Sequence, residues 1–450
     1  MSKFLLLLAG KFSAVKAYLK RVIADGGTTS DPAHAQVVYD NTIGDEPTLI
    51  QSCDSGKATV LYNIEPTNAD FTVDRNSTKY VLGSGGTIIP SATDEPAFEF
   101  NADGSYKGLL VEPAATNVMP YSEDFSQWTP TGVTVATDTT TAPDGTTLAY
   151  AITGNAGTTA KRVREDTTIG TLTTYTFSVF AKAGTNDYIQ LISNADADAV
   201  ANFDLSNGTV GTSGSDTTGV ITDYGNGWYR CEARFTSVTA GTPHSIYLVD
   251  SSSATYGQSA ATTGSVYLWG AQVEDGPIAT SYIPTTTASV TRVKDDITLG
   301  SASSLIGQTE GTLYVEVDWK ATSGTSQRLL LLSDGTSNNR ILIYNGSGVT
   351  LYMYADADGV SLTAQGESST GYSGIQKIAF AYAENDFELY RNGSSISSDT
   401  SGSLSALGTL TDIDLGQGVA ANLQANMHIR AVAIYPTRLS DAECEALTTL

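Results

Sequence analysis

The 450-residue sequence has only three cysteines, Cys53, Cys231 and Cys444, far apart and odd in number. They supply neither a disulfide framework nor zinc-ligand spacing, and they read as small buried hydrophobes. Histidine is equally sparse. His34, His244 and His428 are scattered, with no metal-ligand or triad spacing around them. Gly-x-Ser-x-Gly elbows, His-Glu-x-x-His helices and phosphate-cradling loops are all missing, so no catalytic site and no enzyme is expected. No apolar run approaches the roughly eighteen residues of a membrane-spanning helix, so membrane insertion is not expected. Basic residues are also few: 24 Lys and Arg stand against 48 Asp and Glu, a formal charge of −24. Lys3, Lys11, Lys16, Lys20 and Arg21 all precede the first acid, Asp25, and setting these five aside leaves −29 on the remainder. A body so acidic offers no stripe to track phosphates, which excludes nucleic acid as a partner.

What is present suits short strands joined by tight turns. Charged residues make up 16% and apolar residues 40%, while Tyr contributes 23 positions and Gly 43. That mix favours β-structure with packed cores over helical bundles or disorder. The sequence therefore predicts a mainly β protein: tandem antiparallel sandwiches after a short N-terminal helix.

The helix is expected over residues 1–27. Leu5, Leu8, Phe12, Val15, Leu19 and Val22 alternate steps of three and four, the spacing of a seam facing a partner helix, and Asp25-Gly26-Gly27 supplies the stop. Sister copies are the economical partner, giving a homotrimer with this seam at its base. Two other readings stay open: a signal peptide, which the resumption of basic residues at Lys11 disfavours, and a basic helix lying on a membrane or docked on another protein. Residues 28–118 read as a small β or extended anchoring region, with short strands at Gln36-Val37-Val38-Tyr39 and Phe98-Glu99-Phe100.

From about Asn117 the pattern sharpens. Tyr175, Phe177 and Val179 alternate with polar neighbours, as do Tyr229, Cys231, Ala233 and Phe235, the period-two sign of half-buried strands. Asn207-Gly208 and Asn226-Gly227 mark turns between runs. The string Gly108-Leu109-Leu110-Val111-Glu112-Pro113-Ala114-Ala115-Thr116-Asn117, then Tyr121-Ser122-Glu123-Asp124-Phe125-Ser126-Gln127-Trp128, resembles the opening of phage head-spike and tail-fibre modules. Ala142-Pro143-Asp144-Gly145, Gly227-Trp228-Tyr229-Arg230, Leu268-Trp269-Gly270-Ala271-Gln272-Val273-Glu274 and Thr280-Ser281-Tyr282-Ile283-Pro284-Thr285 extend the likeness over about 108–293. The resemblance implies a jelly roll related to carbohydrate-binding modules, over residues 119–293. Among its aromatics, Trp228 and Trp269 sit in strand-like runs and are expected in the core, whereas Trp128 lies in a turn-rich stretch and is the candidate to stack on a sugar.

Residues 294–450 carry a second set of strands. Asp386-Phe387-Glu388-Leu389-Tyr390-Arg391 leads into Asn392-Gly393, a strong hairpin turn. His428-Ile429-Arg430-Ala431-Val432-Ala433-Ile434-Tyr435 then precedes a short helix in which Ser440 and Glu443 have capping-box spacing. This order resembles the concanavalin-like, laminin-G-type fold over about 305–450. Acidic pairs occur, for instance Glu316 and Asp318, which share one strand face and could form a glycosidase pair in a concanavalin-like fold; in so acidic a chain a solvated face is the preferred reading. Asp356-Ala357-Asp358-Gly359 and Asn194-Ala195-Asp196-Ala197-Asp198 offer oxygen ligands without the distal Glu of a helix-loop-helix site, so polar turns explain them as well as a structural Ca²⁺ does. No other cofactor or metal is called for.

Taken together, the resemblances imply a virion structural protein of a tailed phage, a head spike or fibre or a tail fibre, assembled in the host cytoplasm. Its partners would be its own copies, other virion proteins and host surface glycans. The alternatives are a virion-borne polysaccharide depolymerase and a bacterial surface adhesin.

Overall fold

The computed structural model describes residues 59–60, 71–145, 148–157, 160–171, 173–193, 198–236, 243–258, 263–319, 326–346, 350–368, 374–419 and 423–450. The expected helical seam of Leu5, Leu8, Phe12, Val15, Leu19 and Val22 lies outside the described residues, as do His34, Cys53 and positions 194–197. What is described is mainly β, and its sheets form two antiparallel sandwiches.

One sandwich is built from residues between 115 and 292. Its first sheet runs Thr217–Asp223, Trp228–Thr236, Thr174–Ala183, Ser265–Asp275, Leu148–Gly154, Val133–Thr141. Its second runs Thr209–Ser213, Val200–Asp204, Tyr188–Ser193, Pro243–Leu248, Arg162–Asp166, Thr129–Thr131. The alternation read from sequence decides which side faces in. Phe177, Val179, Cys231, Ala233 and Phe235 meet Ile189, Leu191, Phe203 and Ile246 in one core, each at most 1% exposed. Burial of such side chains is the main stabilising term of a sandwich.

The other sandwich pairs elements distant in sequence. Its seven-stranded sheet runs Thr72–Asp74, Asp296–Leu299, Asp412–Leu415, Gln327–Ser333, Arg340–Asn345, Thr350–Ala357, Val360–Ser368. The facing sheet runs Ser394–Asp399, Asp386–Arg391, Gly374–Ala383, Gly311–Trp319, Met427–Tyr435, Tyr106–Val111, Phe98–Phe100, with Thr59–Val60 also on Met427–Tyr435. The turn before Ser394 has Asn392 at φ +49° and Gly393 at φ +84°, as its sequence predicts. Helix α1, Asp441–Thr448, closes the chain, and Glu443 Oε2 accepts from Ser440 N at 2.9 Å and Oγ at 2.7 Å.

The expected division at residues 118 and 294 thus separates strands that the sheets join. Tyr106–Val111 pairs with Met427–Tyr435 and Thr72–Asp74 with Asp296–Leu299, so residues 115–292 are an insertion into a sandwich begun before them and finished after them. No local pattern announces this, because register between strands hundreds of residues apart leaves no trace in either strand alone.

The chain crosses between sandwiches twice, and the two crossings pair with each other as Ala115–Asn117 against Val290–Arg292. A buried ionic knot holds them. Asp295 takes Arg75 Nη1 at 3.1 Å and also Lys79 Nζ. Glu112 lies 3.5 Å from both Lys79 Nζ and Arg292 Nη2, and it accepts from Ser281 N at 2.9 Å. Each of the five charged residues is at most 1% exposed. The backbone closes the ring, since Glu112 N donates to Asp295 Oδ2 at 2.8 Å and Asp295 N to Glu112 O at 3.1 Å. Burial lowers the Lys79 pKa, while Asp295 and Glu112 oppose that shift. Removing one partner of such a set leaves another charge buried and uncompensated. Asp295→Asn is therefore expected to cost about 3–5 kcal/mol, read as a lower urea midpoint of tryptophan fluorescence. An unchanged midpoint would show that the crossings are held otherwise.

Candidate functional site

Trp128 is 1% exposed. Asp124 accepts from Ser126 N at 3.2 Å and caps a single 3-10 turn, Phe125–Gln127, that swings the following ring inward. Trp128 then packs on Phe125 at 4.8 Å and donates Nε1 to Tyr121 O at 3.2 Å. The turn-rich sequence that suggested a surface ring instead folds it into the core, so Trp128 has no face to offer a glycan. Trp228 and Trp269 are buried as expected, but between sandwiches: with Phe180 and Tyr282 they pack against Ile88, on the hairpin Lys79–Leu82 and Ile88–Ser91. Trp319 is 3% exposed and donates to Gln327 Oε1 at 2.9 Å. All four tryptophans of the chain are thereby accounted for.

Glu316, Asp356 and the two described histidines are similarly engaged. Glu316 Oε1 accepts from Arg430 Nε at 2.8 Å and Oε2 from Tyr314 OH at 3.4 Å, so both oxygens are occupied within the sheet. His428 Nε2 meets Glu99 Oε2 at 2.6 Å and His244 Nδ1 meets Ser193 Oγ at 2.6 Å, both rings fully buried. Asp356 Oδ2 accepts from Arg340 Nε at 3.0 Å and Nη2 at 2.8 Å, which commits one offered Ca²⁺ ligand to a guanidinium. Cys231 and Cys444 are free and buried.

The motif strings singled out in the sequence turn out to hold fasteners. Asn117 Oδ1 accepts from Met119 N and Val273 N, each at 3.0 Å, and its Nδ2 donates to Ile283 O at 2.9 Å. Gln272 Oε1 accepts from Ile283 N at 2.8 Å, and Glu274 Oε1 accepts from Thr280 N at 2.8 Å. Three motif strings separated in sequence are thus stitched into one edge. Ala142, Pro143, Asn226 and Trp228 line a cleft of ≈ 300 Å³ beneath the hairpin at Gly86. Lys182 in that cleft already donates to Asn226 O at 2.7 Å, and Trp228 Nε1 to Thr141 O at 3.2 Å.

A different surface collects half-buried aromatic and cationic groups. In the seven-stranded sheet Ile341, Ile343, Leu351 and Met353 point into the core, so Arg340, Tyr344, Tyr352 and Tyr354 must stand on the outer face. Register places Arg328 opposite Tyr344 and Tyr344 opposite Tyr352. Arg328 Cζ lies 4.4 Å from the Tyr344 ring centroid. Tyr344 and Tyr352 stack at 4.8 Å with 14° between planes, and Tyr354 meets Tyr344 edge-on at 5.9 Å. Arg340 sits 5.3 Å from the Tyr354 ring. On the next strand Gly366 stands opposite Tyr352, and any Cβ there would lie 2.7 Å from Tyr352 Cδ1, so only glycine leaves the ring its place. Leu331 and Leu342 share the outer face at 1% and 0% exposure and form its apolar floor. The arrangement is a rigid, flat-sided platform with phenol hydroxyls and a guanidinium at its rim. Sequence reasoning passed over it, although tyrosine at the outward positions of Arg340-Ile341-Leu342-Ile343-Tyr344 and Leu351-Tyr352-Met353-Tyr354 was a visible signal.

The same face continues to Asp414, which accepts from Thr298 Oγ1 at 2.7 Å and lies by Gln417 and Asp296. Burial raises its pKa to about 6, with Asp296 and Asp412 adding to the shift and the Thr298 and Gln417 hydrogen bonds opposing it.

No protein-family model matches the chain, and no curated protein matches it. Among solved structures, the CBM40 of Ruminococcus gnavus IT-sialidase bound to α2,3-sialyllactose is 18% identical, over 32% of this chain and 83% of that one, with a TM-score of 0.28. The receptor-binding domain of botulinum neurotoxin mosaic serotype C/D is 15% identical over 34% and 39% of the two chains, TM-score 0.28. The K499G mutant of NanB sialidase from Streptococcus pneumoniae is 16% identical over 34% and 26%, TM-score 0.29.

The folded Asp414 carboxyl binds its proton more tightly than an unfolded one, so its stabilising contribution is present at acid pH and is lost as pH rises through about 6. Asp414→Asn, which keeps the acceptor, is expected to flatten the stability profile between pH 4 and 7 by up to about 3 kcal/mol. Parallel profiles for the two proteins, from urea titrations across that range, would contradict this.

Proposed function

We propose that this chain is a virion structural protein of a tailed phage, a spike or fibre that holds glycans of the host surface on the outer face of its seven-stranded sheet. The observation that carries the binding half is the stacked Tyr344–Tyr352 pair, set over an apolar floor and fixed before any ligand arrives. The rings stack on one another across the strands, with Arg328 over Tyr344, so it is their edges and phenol hydroxyls on the outer face that can meet the C–H and hydroxyl groups of a sugar. Prior fixing of the rings lowers the conformational entropy lost on binding. The virion half rests on the ordered motif strings from Gly108 to Thr285, on the acidic body and on the seam spacing in residues 5–22.

In this reading each contact is weak and several copies act together. Linking sites in a homotrimer converts later contacts into intramolecular ones, which multiplies retention without new chemistry. Other virion proteins would hold the base. The engaged Glu316 and the absence of His or Cys chemistry in the sequence favour adhesion over depolymerisation.

On an array of bacterial surface glycans the full chain is expected to be retained, and Tyr352→Ala to lower retention about tenfold at unchanged thermal stability. Retention of no glycan, or identical retention by the variant, would overturn the binding half. Light scattering is expected to give the mass of three chains, falling to one when residues 1–27 are removed; a single-chain mass for the full protein would overturn the trimer.

A further inference from the structure

Of the two arginines on the tyrosine face, only one is neutralised. Arg340 is paired with Asp356 through Nε and Nη2. Arg328 is half-buried against Tyr344, and its Nη1 is buried without a hydrogen-bond partner. Among the described residues no carboxylate ion-pairs with it: the groups acting on it are the phenols of Tyr344 and Tyr354 and the like charge of Arg340. A half-buried guanidinium with open donor positions is costly in a chain carrying twice as many acids as bases, where a counter-ion was easily supplied. Arg328 Nη1 is out of a ligand's reach, but Nε and Nη2 are neither bonded to a described residue nor among the buried unpaired atoms, and they offer the fork that matches a carboxylate.

We infer that the tyrosine face selects glycans bearing a carboxylate, with Arg328 receiving the acid group while Tyr344 and Tyr352 hold the ring. This rests on the glycan reading above and adds its ligand class: uronic acids or other acidic sugars, in preference to their neutral counterparts. The chain as a whole carries a net charge of −24, so an acidic sugar needs a local cation of this kind to be held. Arg340, held by Asp356, stiffens the neighbouring strand pair and does not compete for the ligand.

The test uses the full chain against matched oligosaccharides containing uronic or nonulosonic acids, immobilised as free acids and as their methyl esters, beside neutral oligosaccharides of the same length. The free acids are expected to be retained about tenfold more strongly than the esters. Arg328→Gln is expected to erase that ratio, and Arg328→Lys to restore only part of it, because an ammonium keeps the charge without the planar fork. Thermal unfolding of each variant establishes that it folds; Arg328→Lys serves as the folded comparison if the Gln variant does not. Equal retention of acids and esters, or an unchanged ratio in Arg328→Gln, would overturn the acid preference and leave glycan binding standing. Retention of neither acidic nor neutral sugars would overturn both.

Discussion

Everything in the described molecule depends on five charges that water does not reach. Arg75, Lys79, Glu112, Arg292 and Asp295 sit where the chain leaves one sandwich and returns to it 180 or so residues later. Burying charges is expensive and is tolerated only when each finds partners of good geometry. Here partners come from three separate stretches of chain, 75–79, 112 and 292–295, so the network forms only when these are brought together. Beside the network, Phe180, Trp228, Trp269 and Tyr282 pack with Ile88 and supply apolar burial.

How much of this was legible in sequence follows from the range of each interaction. Period-two alternation identified the core faces of strands such as Thr174–Ala183 and Trp228–Thr236, because the pleat fixes it locally. The Asn392-Gly393 turn and the Ser440–Glu443 cap were legible for the same reason, each being decided within four residues. The insertion was not, since it is a fact about partners: nothing in Tyr106–Val111 says that Met427–Tyr435 lies beside it. Nor could the role of the motif strings be read, as Glu112, Asn117 and Gln272 acquire meaning only when the strings meet.

The site illustrates the same limit from the other side. Trp128 drew attention as the most conspicuous aromatic in a turn, yet a capped 3-10 turn carries it inside. The tyrosines that do face outward were ordinary members of alternating strands. Their significance arises from cross-strand register, which brings Arg328, Tyr344 and Tyr352 into one line across three strands. A sheet builds such a line cheaply: the backbone ladder sets the spacing, and side chains two apart on each strand share the face. The platform is thus rigid because the sandwich beneath it is rigid, with Ile341, Ile343 and Met353 anchoring the other side of the same strands.

The central claim is that a glycan sits on this face and not in the cleft beneath the hairpin or on a tryptophan. A crystal structure of the full chain with a carboxylate-bearing oligosaccharide addresses it most directly. The account predicts sugar density over Tyr344 and Tyr352, with the acid group at Arg328. Sugar density in the cleft lined by Trp228 and Lys182, with the tyrosine face bare, would contradict it.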